Sequence, residues 1–72
     1  MLIRWEPVTY SKVAVTFDLP GIGRYYIGRR EKGSRQFVIK VNGKETGLFS
    51  DRADAIAAAE TEINKFLVDH AD

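Results

Sequence analysis

Between Lys12 and Asp18 apolar side chains alternate with polar or small ones, and Val13, Val15 and Phe17 share one parity. A period of two predicts a half-buried β-strand. Leu19-Pro20-Gly21-Ile22-Gly23 interrupts it, because proline presets φ and glycine admits positive φ. A second strand is predicted over Arg24 to Arg30, and a third over Gln36 to Val41 with Phe37, Ile39 and Val41 on one side. Lys32-Gly33-Ser34 supplies the turn between these two. Asn42-Gly43 is a strong hairpin signal, since both turn positions call for positive φ. It leads into a short fourth segment, Lys44 to Phe49. The stretch from Met1 to Tyr10 offers one more short strand through Leu2, Ile3 and Trp5, restricted to an edge by Pro7.

After Phe49 the period changes. Ala53, Ile56, Ala59, Ile63, Phe66 and Leu67 recur at three- and four-residue spacing, the pattern of an amphipathic helix from about Asp51 to about Asp69. Asp54, Ala58, Thr61, Lys65 and Asp69 fall on its water side. Ser50 or Asp51 can cap it, and Asp51 and Asp54 stand where the helix dipole favours anions. The expected fold is α+β: an antiparallel meander of three to four strands, with one C-terminal α-helix packed on one face. Val13, Val15, Phe17, Ile27, Ile39 and Val41 would meet Ile56, Ala59, Ile63 and Leu67. Residues 1–72 read as one domain.

A single helix covers one side of a sheet, so the other side stays open. Alternation assigns it Ala14, Thr16, Tyr26, Gly28, Arg30, Val38, Lys40 and Asn42. Such a face is either simply the wet side of an antiparallel sheet or a surface for a partner.

Charge sharpens that choice. Residues 24–44 carry seven cations against Glu31 alone, a net +6, while residues 45–72 carry seven acids against Arg52 and Lys65, a net −5. The whole chain is nonetheless only +1. A basic strand pair joined to an acidic helix points to an anionic partner, DNA or RNA. The residues expected to contact it are Arg24, Tyr26, Arg29, Arg30, Lys32, Arg35, Lys40 and Lys44: the cations meet phosphates or guanine edges, and Tyr26 stacks. The alternative is a protein partner or a homodimer formed through the open sheet face or an edge strand.

Other chemistry finds little support. The chain has no cysteine, so neither a disulfide nor a thiolate metal site is expected. His70 is the only histidine and would sit at the helix end, where its protonated form favours the dipole. Gly21, Gly23 and Gly28 do not make a dinucleotide fingerprint, because a strand rather than a helix follows them. Ser11, Ser34 and Ser50 lack a nearby base. No enzyme activity, cofactor or metal is expected. Trp5 is expected to cap the edge of the core. The longest apolar run is too short to span a bilayer and no basic-then-apolar leader opens the chain, so a cytoplasmic protein without membrane contact is expected.

Two resemblances add a setting. Gly23, Tyr25 and Ile27, then Gly43, Lys44, Gly47 and Phe49, then Ala55, Ala58, Ala59 and Glu60 follow the pattern of small uncharacterised phage and prophage proteins, which the chain resembles over about two thirds of its length. This resemblance implies a sheet-plus-helix fold and a phage or prophage origin. More distantly, Tyr26-Ile27-Gly28 followed by Arg29 and Arg30 is similar to the three-stranded-sheet-plus-helix DNA-binding domain of ethylene-response factors and of integrase arm-binding domains. Those domains lay their sheet in the major groove and use arginines of the first strand pair. Phe37 stands here where that family has a tryptophan, and Gly47-Leu48-Phe49 replaces its Leu-Gly-x-Phe step.

Overall fold

The computed structural model describes residues 3–69. Five strands, β1 (Glu6–Pro7), β2 (Val15–Leu19), β3 (Gly23–Arg29), β4 (Phe37–Val41) and β5 (Lys44–Phe49), precede one helix, α1 (Arg52–Asp69). The strands form one antiparallel sheet in sequence order. The architecture is the expected α+β meander with a C-terminal helix, but with five strands rather than three to four. The extra strand is β1, two residues long and ending at Pro7, which lacks the N–H needed to continue a ladder.

Turn chemistry sets the register. Pro20 and Gly21, with φ +84° at Gly21, form a turn closed by the Ile22 N–H donating to the Leu19 carbonyl at 3.0 Å. That is the type II pattern. Asn42 (φ 54°) and Gly43 (φ 83°) take the two positive-φ places of the β4–β5 hairpin. The two turns are also tied to each other. Asn42 Oδ1 accepts from the Arg24 backbone N–H, and Asn42 Nδ2 donates to the Ile22 carbonyl, each at 3.0 Å.

On the helix side, Val15, Ile27, Ile39 and Gly47 form one cross-strand row, and Arg29, Phe37 and Phe49 form another. A register shift between Ile39 and Lys40 marks a bulge against β5, where the Thr46 hydroxyl lies 3.4 Å from the Ile39 carbonyl. α1 packs over β3, β4 and β5. Its buried stripe is Ala55, Ala59 and Ile63, flanked by Ile56, Phe66 and Leu67. Ala53, expected on that stripe, is exposed, and Ala58, expected toward water, packs partly against the core. The residue before α1, Asp51, accepts the first helical bond from the Ala55 N–H, so the helix starts one residue after it.

The helix does not cover the β2 side of that face; the N-terminal segment does. Ile3 is buried in the core. The Trp5 ring lies 6.0 Å from Phe17, and its Nε1–H donates to Glu60 Oε2 at 2.9 Å, which fits its expected place at the core edge. The expectations for Leu2 and His70 concern positions outside the described residues.

Tyr25 is buried on this side as well, and its hydroxyl donates to Glu62 Oε1 at 3.1 Å. Burial raises its pKa above the ordinary tyrosine value, and the adjacent Glu62 charge and hydrogen bond add to the rise. A group whose pKa is raised on folding stabilises the fold below its unfolded pKa, and that contribution is lost as pH climbs. Stability is therefore expected to hold to about pH 10 and to fall beyond it. Denaturant midpoints measured across that range test this. Glu62→Gln should soften the fall without removing it, because burial is the larger cause.

Candidate nucleic-acid interface

Of the residues that alternation assigned to the open side, Thr16, Tyr26, Gly28, Val38 and Lys40 fall in its strand rows, but Ala14, Gly28 and Val38, expected to face solvent, are buried. The row Glu6, Thr16, Tyr26, Lys40 and Glu45 crosses all five strands, and the row Gly28, Val38 and Leu48 crosses three. Gly28 lets the Tyr26 ring fold down along its own strand: a Cβ built at Gly28 would lie 2.4 Å from the Tyr26 hydroxyl. Ala14, next to Gly28 by register, is buried, and so is Val38. Lys40 Nζ stands 5.8 Å from the Tyr26 ring centroid, a cation–π contact. Burial raises the Tyr26 pKa, and Tyr10 beside it, through charge and a hydrogen bond, raises it further.

Tyr10 is the residue that strand alternation missed. It is 78% exposed, the most open large apolar side chain among the described residues, and it sits in the loop between β1 and β2. Together with Tyr26 it lines two recesses. One, about 530 Å³, is completed by Arg24, Lys40, Asn42 and Gly43. The other, about 560 Å³, lies toward the β3–β4 loop and is lined by Lys12, Arg29, Arg30 and Lys32 with one acid, Glu31. The only sequence signal for Tyr10 was an aromatic inside the polar run Thr9-Tyr10-Ser11-Lys12, and a loop has no periodicity from which to infer a direction.

The eight expected residues do not form one patch. Arg24, Lys40 and Lys44 lie at the β4–β5 turn end of the sheet, and Arg29, Arg30, Lys32 and Arg35 lie at the β3–β4 loop end. Arg24 is already engaged: its Nε is 2.8 Å from Asp18 Oδ1, an exposed pair that lowers the Asp18 pKa and raises that of Arg24. Arg30 reaches from the end of β3 to Glu45 on β5, with Nε 3.7 Å from Oε1, and so spans β4. Arg29 lies on the helix side, as its parity requires. Its guanidinium sits 5.3 Å from the Phe37 centroid and donates to the Ser34 carbonyl, which braces the loop. Lys32, Arg35 and Lys44 are exposed, with no ion pair among the described residues. Tyr25 and Phe37, neighbours of these cations in sequence, are buried away from them.

Among the described residues, no ion pair joins an acid of the helix to these cations. Glu60 accepts from Trp5 and Glu62 from Tyr25, both on the helix side of the sheet. Cations therefore gather at the β3–β4 end, where Lys12 joins them from another loop. Among the described residues, no group of three or more His, Cys, Asp or Glu side chains could hold a metal ion, and no helix is long and apolar enough to cross a membrane. No family model, curated protein or solved structure matches this chain.

Proposed function

We propose that this chain is a small, non-enzymatic, cytoplasmic module of the phage or prophage kind it resembles, and that it binds nucleic acid. Its contact surface is the β3–β4 hairpin end together with the Tyr10–Tyr26 part of the open face. The observation that carries this reading is the separation of charge: Lys12, Arg30 and Lys32 line one recess, with Glu31 as its one acid, while Glu60 and Glu62 are held on the helix side by Trp5 and Tyr25. Phosphate neutralisation by such a cluster gives affinity that falls steeply with salt.

Nitrogen–proton spectra of the protein titrated with DNA or RNA at low salt test it. Shifts are expected at residues 10–14, 26–35 and 40, and they should reverse as salt is added. The Arg29→Ala, Arg30→Ala double variant should bind more weakly, chiefly through Arg30, because Arg29 is committed to Phe37 and Ser34. Spectra unmoved by either polymer would end this reading.

A second reading has its own observation. β5 is an edge strand, and Leu48 on its open side is 47% exposed. An unpaired edge beside an exposed leucine can pair with a second copy. Light scattering would then give a mass above 8.1 kDa that rises with concentration, and Leu48→Lys would return it to the monomer.

A further inference from the structure

The nucleic-acid reading leaves open which form of the polymer the open face takes. The two recesses share a wall made of Tyr10 and Tyr26. Each, at about 530 and 560 Å³, falls in the size range of small-molecule sites. Each also has cations at its rim: Lys40 and the Asp18-paired Arg24 in the first, and Lys12, Arg30 and Lys32 against the single acid Glu31 in the second. An exposed aromatic wall between two cation-rimmed hollows sets stacking surface beside positive charge, the two features that bases and phosphates along one strand call for.

We propose that the Tyr10–Tyr26 wall is a stacking platform for single-stranded nucleic acid. One base packs in each recess against a tyrosine face, and the linking phosphates run along Lys12, Arg30, Lys32 and Lys40. This rests on the nucleic-acid reading and narrows it. Tyrosine can stack only on a base whose face is free, and duplex bases have both faces covered by their neighbours. Reading a groove requires uncommitted side-chain donors and acceptors. Here Asn42 is spent on the Arg24 and Ile22 backbone, and Arg24 is engaged by Asp18. The surface therefore stacks and neutralises without discriminating strongly among bases.

Fluorescence anisotropy of the full chain with labelled oligonucleotides at low salt tests this, using single-stranded RNA, single-stranded DNA of the same sequence and the matching DNA duplex. Both single strands, or either one, should bind more tightly than the duplex; a preference for RNA would assign a contact to the 2′-hydroxyl. Tyr10→Leu should weaken single-strand binding about 5- to 150-fold, the range for loss of one stacked base. Tyr10→Phe, which keeps the ring, should retain it. Gly28→Ala should also weaken it, because the new methyl displaces the Tyr26 ring. Tyr10 is exposed, so the Leu variant should keep the parent spectrum. Duplex binding that is tighter and indifferent to Tyr10→Leu would overturn the platform yet leave nucleic-acid binding standing. Failure of all three oligonucleotides to bind would overturn both.

Discussion

Gly23→Ala is expected to remove a large share of the fold's stability and to lower its melting temperature more than any other glycine substitution in the two turns. The φ of Gly23 is +138°, a conformation that side-chain-bearing residues rarely adopt, and holding a residue there costs about 1–3 kcal/mol. The second cost is steric. A Cβ at this position would lie 1.9 Å from Asn42 Oδ1, 2.4 Å from Nδ2 and 2.5 Å from Cγ. The Asn42 side chain cannot simply swing aside, because it is held by the Arg24 N–H and the Ile22 carbonyl at 3.0 Å each. Moving it forfeits both bonds, worth roughly 0.5–1.5 kcal/mol apiece, and frees the two turns from one another. The sum is on the order of 2–6 kcal/mol, against roughly 4–11 kcal/mol for a chain of this length. Gly21→Ala provides the control. Gly21 also has positive φ, +84°, but a Cβ there meets nothing within 4 Å, so only the backbone cost applies. Thermal melts followed by circular dichroism should place Gly23→Ala roughly 10–20 °C below Gly21→Ala. Equal melting temperatures would show that Asn42 yields without penalty and that the turn–turn clamp contributes nothing.

Such a clamp could not be foreseen, although both turns could. Pro20-Gly21 and Asn42-Gly43 are local signals, each readable from the φ its residues prefer. Their contact depends on β3 pairing with β4, so it is non-local. The same division holds elsewhere. Period-two alternation placed Tyr26, Arg30, Val38 and Lys40 on the open face and Arg29 on the helix side, because parity survives any small error in strand ends. The helix was less legible. Residues 53, 55, 57, 58 and 59 are all alanine, so the apolar pattern has no unique phase until Ile63 fixes it; Ala55 is buried and Ala53 exposed. Tyr25 and Phe37 read as aromatics among cations, but parity turns both toward the helix, where Tyr25 finds Glu62. The bulge at Ile39/Lys40 left no mark in composition. For the candidate site, the +6 segment was plain in the sequence, but its division between two ends of the sheet was not. Nor was the arrival of Tyr10 and Lys12 from a loop about twenty residues away, since only the β2–β3 pairing brings them there.

Neutralising Lys12, Arg30 and Lys32 together should reduce nucleic-acid affinity by 10- to 100-fold at low salt, on the order expected for three lost phosphate contacts. The sharper reading is the salt slope. For single strands each phosphate contact contributes about 0.7 to the fall of log K with log salt, so Lys12→Gln, Arg30→Gln, Lys32→Gln should lower the slope by about 2. The fold should tolerate the change. Lys12 and Lys32 are exposed, and the 3.7 Å pair between Arg30 and Glu45 is half-exposed, a class worth about 0–1 kcal/mol. Position can be separated from net charge by a companion variant away from the recesses. Lys44→Gln with Arg4→Gln and Lys65→Gln removes the same formal charge from the β4–β5 turn, the segment before β1 and α1, none of them lining either recess. Screening over about 10 Å at ordinary ionic strength confines an exposed charge to its own surroundings. The companion should therefore change the slope by less than half as much. If the two triple variants lose affinity and slope equally, binding follows total charge rather than the cations gathered around Tyr10, and the β3–β4 end is no more a binding surface than the rest of the molecule.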